Sequence, residues 1–150
     1  MSLRYCFNSE MKRLLGSVIW PVVHDERQAL MYDLTSIASE EWRTGSLCPG
    51  WGVHDVVAHL LDTAKTTRRG FINRMLAAGF GFDHDDAVGV TRERAPDPLE
   101  TLASFRTTRL RTLTSPAALE TRLVEAFVHG KELSGPGAAA FHAVTIREPA

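Results

Sequence analysis

The sequence predicts an all-α protein, an up-down-type four-helix bundle with an irregular C-terminal tail, and three observations carry that prediction. Four stretches repeat apolar residues at three- and four-residue spacing, no stretch alternates convincingly as a strand, and Pro- and Gly-punctuated loops separate the stretches.

The first helix is expected from Pro21 to Ile37, where Val22, Val23, Ala29, Leu30, Leu34 and Ile37 fall largely on one face. Ser39-Glu40-Glu41-Trp42 reads as a short helical turn, and Leu47 to Gly52 as a loop that feeds the second helix. That helix runs from about Val53 to Thr67, with Val53, Val56, Val57, Leu60, Leu61 and Ala64 as its apolar stripe. Phe71 to Ala78 reads as helical, whereas Gly79, Gly81 and the acidic run Asp83-His84-Asp85-Asp86 suggest a turn and a further short helix. Asp97 followed by Pro98 is a helix-start signal for a third principal helix reaching about Leu113. Ser115-Pro116 repeats the signal for a fourth, carrying Leu119, Leu123, Ala126, Phe127 and Leu133. The domain organisation expected is a flexible extension over 1–19, one helical domain over 20–133, and a loose Gly/Ala-rich tail over 134–150.

Composition narrows the function classes. With 17 Lys and Arg against 18 Asp and Glu, the net charge of −1 gives no general attraction to nucleic acid or an anionic membrane. Apolar runs stay short of the ~20 residues that cross a bilayer, and the N-terminus lacks the sustained apolar core of a secretory signal. A cytoplasmic protein without nucleic-acid or membrane partners, monomeric or homodimeric, is the expectation. The two cysteines, Cys6 and Cys48, form neither a disulfide framework nor a C-x-x-C pair.

Chemistry-bearing residues concentrate on two helices. Glu125 and His129 are four residues apart, so they stand ~40° apart on one helix face and can chelate one ion together. His59 lies about 60° beyond Val56, at the edge of the buried stripe, where its ring can lean toward that pair. A His/Glu/His set leaves a tetrahedral position open, the pattern of a catalytic zinc site. The plainer alternative is that Glu-x-x-x-His bridges solvated surface positions. His24 and His54 read as solvated helix residues, His84 as part of a charged turn and His142 as part of the tail. Arg106, within the stripe of Leu99, Leu102, Ala103 and Leu110, and Arg74, near Phe71 and Ala78, are candidates to bind a substrate carboxylate. The plainer reading, which the residues favour, is that each snorkels along the bundle edge.

Trp42 followed by Leu47-Cys48-Pro49-Gly50-Trp51-Gly52-Val53-His54-Asp55-Val56-Val57-Ala58-His59-Leu60 resembles the signature of the DinB-like, mycothiol-dependent maleylpyruvate isomerase family. The resemblance continues through Gly79 to Asp83, Asp97 to Leu102 and Leu123 to Gly130. It implies a DinB-like four-helix bundle whose zinc is bound by His59, Glu125 and His129. It also implies mycothiol as the thiol cofactor, an electrophilic small-molecule substrate, and a metal-bound thiolate as nucleophile. For a maleylpyruvate-like substrate the thiolate adds to the cis double bond, the resulting single bond rotates, and elimination gives the trans isomer. The chain departs from the pattern at His54, where the family more often carries Arg, and at Gly52, in place of a Thr or Ser cap. Compared with the isomerases it resembles, which carry an additional C-terminal domain, it is expected to be C-terminally short. Thiol S-transfer therefore stands beside isomerisation, and a non-catalytic metal-binding interaction module or an inactive truncated relative is the alternative reading.

Overall fold

The computed structural model describes residues 3–77, 79, 81–114 and 116–133. Six α-helices are present among these residues: α1 (Leu3–Asp33), α2 (Val53–Lys65), α3 (Arg68–Ala77), α4 (Phe82–Glu93), α5 (Pro98–Thr107) and α6 (Glu120–Leu133), with a 3-10 turn at Glu41–Arg43. The only extended pairing among them is a bridge between Gly45 and Gly52. The fold is all-α, a helical bundle.

The first helix is much longer than the apolar periodicity after Pro21 suggests, because Pro21 lies inside α1 instead of opening it. A proline inside a helix removes one backbone donor. The turn before it is held by tertiary packing, since Ile19 is buried with Val23 and Ala126. The stretch Glu10-Met11-Lys12-Arg13-Leu14-Leu15 is also made of residues that favour helix. After α1 the chain turns through Trp42, which is buried, and reaches α2 through the loop of residues 44–52. Hydrogen bonds from Val53 N to Thr44 O (3.0 Å) and from Ser46 N to Trp51 O (2.8 Å) close that loop. Gly52 sits close under the loop at its end, where a Cβ would lie 3.3 Å from Thr44 O. The Asp55 carboxylate accepts from Gly52 N at 2.9 Å and covers a donor that the helix start leaves open.

Asp97 caps α5 as the sequence predicts, accepting from Leu99 N at 2.9 Å with Pro98 at the first helical position. The helix stops at Thr107, earlier than expected. Its buried face is Thr101, Leu102 and Phe105, while Leu99 and Leu110 are exposed. Ser115, His142 and the Gly/Ala-rich tail lie outside the described residues. Leu30, Met31 and Leu34 of α1, Val56, Val57, Leu60 and Leu61 of α2, Leu102 and Phe105 of α5, Trp42 and Leu133 make the main core. Around it α2 packs on α4 and α5, and α6 packs on α1.

Candidate metal centre

His59 occupies the edge of the buried stripe of α2, with Val56 and Leu60 turned fully into the core. Its side chain is 13% exposed, and the two ring nitrogens face opposite acids. Nε2 stands 3.8 Å from Glu125 Oε1, and Nδ1 stands 3.9 Å from Asp86 Oδ1. Both separations exceed a hydrogen bond. The His129 ring approaches edge-on with its centroid 5.6 Å from that of His59, and the Trp51 ring packs 5.2 Å away. The two ligand candidates of α6 and the one of α2 are thus neighbours across the bundle.

Two donors each ~2.0–2.1 Å from one tetrahedral zinc stand about 3.3–3.4 Å apart, so the 3.8 Å between His59 Nε2 and Glu125 Oε1 fits a shared ion after a small side-chain adjustment. Two imidazoles on such an ion have centroids roughly 5 Å apart, close to the 5.6 Å found. The donor types also suit zinc. Among the described residues, however, no three His, Cys, Asp or Glu side chains already stand as a ready cage. The second oxygen of Glu125 is occupied as well, accepting from Arg122 Nη1 at 2.7 Å.

Electrostatics at the site follow from burial. Burial pushes the His59 imidazole below its ordinary range, with Asp86 and Glu125 pulling the other way. Burial likewise pushes the Asp86 carboxyl up against the opposing pull of His59.

A cavity of about 270 Å³ opens beside this group, lined by residues that include His59, Asp86, Arg74, Arg122 and Glu125. Arg74 is therefore brought to the site, although its guanidinium is already occupied. Nε and Nη2 donate to Asp85 at 2.9 and 2.6 Å, and Nη1 donates to both oxygens of Asp62 at 3.0 and 2.9 Å. Arg106 is exposed and donates to Thr35 Oγ1 at 2.6 Å, outside that cavity. Of the apolar stripe assigned to it only Leu102 lies on the buried face of α5.

Asp86, Arg122 and Trp51 are contributors that the spacing argument passes over. The acidic run does not behave as one solvated turn, because it opens α4 and helical phase divides it. Asp83 and His84 are exposed, Asp85 is buried on Arg74, and Asp86 faces His59. Arg122 was readable from its three-residue spacing to Glu125. His54 is also not solvated: it is 3% exposed, and its Nε2 pairs with Thr101 Oγ1 at 2.9 Å.

Residues 23–118 match the family model of the mycothiol maleylpyruvate isomerase N-terminal domain. The chain belongs to this family. No curated protein and no solved structure matches it. As a mycothiol maleylpyruvate isomerase N-terminal domain, the chain has His59 and Asp86 inside the matched span, while Arg122, Glu125 and His129 follow it. Their nearness to His59 is therefore an observation of the structure, independent of the match. No described helix of this family member is long and apolar enough to cross a membrane.

Proposed function

We propose that this chain is a divalent-metal-binding, mycothiol-dependent enzyme, with His59, Glu125 and His129 as ligands of one zinc ion. Its reaction is cis–trans isomerisation or thiol S-transfer on a small electrophile. The observation that carries the proposal is the 3.8 Å approach of His59 Nε2 to Glu125 Oε1, in a chain of a mycothiol-related family, beside a cavity that can admit substrate. When bound, zinc in a three-ligand site supplies an open position at which a thiol ionises near neutral pH. The protein's part is to hold that geometry. Asp86 stands on the Nδ1 side of His59 and Glu125 on its Nε2 side, and Arg122 fixes one oxygen of Glu125, which leaves the other turned to His59. Trp51 packs on the His59 ring and limits its rotation.

A second reading, a non-catalytic helical module, has one observation in its favour. The Arg122–Glu125 ion pair satisfies the carboxylate without any metal. Elemental analysis of the purified, untagged protein separates the two. About one zinc per chain, lost in His59→Ala and in His129→Ala, is the expected result. No bound metal, and no uptake by a folded sample given zinc, removes the enzyme reading and leaves the module. With zinc present, a mycothiol titration that perturbs the metal's spectroscopic substitute, cobalt, tests the thiol.

A further inference from the structure

The helix α1 carries a second apolar stripe that the core does not use. Its core face is Ile19, Val23, Leu30 and Met31, all buried. Met11, Leu14, Leu15, Val18 and Val22 form the other stripe, and they are exposed by between 36 and 68%. At 100° per residue Val18 stands ~140° round the helix from Val23, so this stripe points away from the core. A helix with apolar residues on opposed faces is ordinarily covered on both. Scattered apolar residues on a surface need no explanation, but five on adjoining turns of one helix form a patch.

Spacing within the patch suits a second helix. Met11, Leu15, Val18 and Val22 follow one another at intervals of four, three and four residues, the average of ~3.5 that marks a seam between two helices. Asp25 takes the next seam position and ends the apolar run. A second copy of α1 laid end for end about the midpoint between Leu15 and Val18 sets Met11 against the partner's Val22, and Leu15 against the partner's Val18. Every layer of that pairing is apolar, and two-fold symmetry repeats each contact. Asp25 falls beyond the paired stretch, whereas in a parallel pairing it would face its own copy. Charge gives the same direction. Glu10, Lys12 and Arg13 leave the N-terminal end of the stripe net positive, and Asp25 and Glu26 make the C-terminal end negative. Antiparallel copies therefore bring opposite charges near each other, and parallel copies bring like ones together. The net charge of −1 offers little repulsion between whole chains. Five side chains so exposed present roughly 400–500 Å² per copy, so two copies with their flanking residues reach the ~1,000 Å² that a specific interface requires.

We propose that this chain forms a two-fold dimer through antiparallel pairing of its α1 helices, with Met11, Leu15, Val18 and Val22 as the seam and Leu14 at its edge. The ion site plays no part in this pairing, since His59, Glu125 and His129 lie on α2 and α6.

Sedimentation equilibrium of the full chain, from low to high micromolar concentration, tests the pairing. Wild type is expected to sediment as a dimer. Val18→Glu places a carboxylate against the partner's Leu15 at two symmetric points, and is expected to associate at least ~100-fold more weakly. Val18 is exposed in the single chain, so this variant should keep the helical circular dichroism of wild type. Tyr32→Glu, on the same side of α1 but beyond the seam, is expected to leave the dimer intact. A monomeric wild type overturns the proposal, and neutral lipid vesicles that bind such a monomer assign the stripe to a membrane surface instead. A dimer that survives Val18→Glu, or dissociates in Tyr32→Glu, overturns it as well by placing the interface elsewhere. Should Val18→Glu lose its fold, oxidative cross-linking decides, in chains whose Cys6 and Cys48 are replaced by serine. Antiparallel pairing links Met11→Cys to Val22→Cys when the two chains are mixed, and gives no link in either alone. Self-linking of either variant marks a parallel pair, a complete lack of links marks no seam, and both overturn the proposal.

Discussion

A buried imidazole needs partners for its ring nitrogens, and His54 meets that need through Thr101, whose hydroxyl oxygen also accepts from Ala95 N at 3.0 Å. Thr101→Val keeps the shape and removes both interactions, so it should cost ~1–3 kcal/mol in urea unfolding. A variant as stable as wild type would show the pair to be dispensable. Burial, with Arg94 nearby, pushes the His54 imidazole below its ordinary value. The unfolded chain, with a pKa of about 6.5, therefore takes up the proton more readily than the folded one. The stability tied to neutral His54 is complete above that value and lost as the pH falls through and below it. His54→Gln, which cannot take up this proton, should show a smaller loss of stability between about pH 7.5 and 5.5 than wild type. An equal loss in both would assign the acid sensitivity elsewhere. The burial of His54 was within reach of the sequence, since it lies one turn from Val57 and two from Leu61 on the α2 wheel. Residue type outweighed phase in the reading of it as solvated. For Arg106 the difference runs the other way, because of its stripe of Leu99, Leu102, Ala103 and Leu110 the structure buries only Leu102. For His59, Glu125 and His129 helical phase gives only the faces on which they stand, and the family resemblance, not spacing, is what brings the three together in the sequence reading. Asp86 joins them from a helix whose placement no local pattern reveals.

At the scale of elements, α4 is the clearest case of tertiary demand setting local sequence. Gly89 sits in its interior, where alanine would ordinarily stabilise a helix by ~0.5–1 kcal/mol. A Cβ at Gly89 would lie 2.6 Å from Asp62 Oδ2 and 2.8 Å from its Cγ. Asp62 cannot step aside, because Arg74 of α3 and Arg92 of α4 both hold its carboxylate. Gly89→Ala should therefore destabilise by about 1–3 kcal/mol, and a raised melting temperature would refute the packing argument. Asp62→Ala should cost about 1–3 kcal/mol, since Arg74 loses one of its two acids and keeps Asp85. At the start of α5 the Asp97 cap is worth ~1 kcal/mol by comparison, readable as the loss in Asp97→Ala. That cap could be read from the sequence because capping chemistry is local. The extent of α1 and α4 could not. Pro21 is a start signal by local rules and is overridden by the packing of Ile19, while the acids Asp83 and Asp85 favour a helix N-terminus as readily as a turn.

For the whole molecule, the packing pattern determines what a bound ion would do. α6 packs on α1, and α2 packs on α4 and α5, so His59 belongs to one group of helices while Glu125 and His129 belong to the other. The groups share the main core through Leu30, Met31 and Leu34 of α1, and Leu133 of α6 reaches the same core. An all-α bundle and much of that core were readable from periodicity, though Met31, Trp42 and Phe105 lie off the stripes it gave; the grouping was not, because wheels give the buried face of a helix and not its neighbour. An ion held by His59, Glu125 and His129 would link the two groups and bind only the folded chain. Linkage then fixes its effect: free zinc at 100 times its dissociation constant should stabilise the fold by about 2.7 kcal/mol. At roughly 2–4 °C per kcal/mol for a domain of this size, the melting temperature should rise by about 5–11 °C. His59→Ala and Glu125→Ala each remove a ligand from one side of the link, so both should abolish the rise. Val23→Ala, in the packing of α1 on α6, should lower the melting temperature with and without zinc and leave the rise in place. Thermal unfolding of the four proteins with and without zinc separates the cases. A rise that persists in His59→Ala would place the ion elsewhere, and no rise in wild type would mean that the two helix groups are held by their apolar core alone.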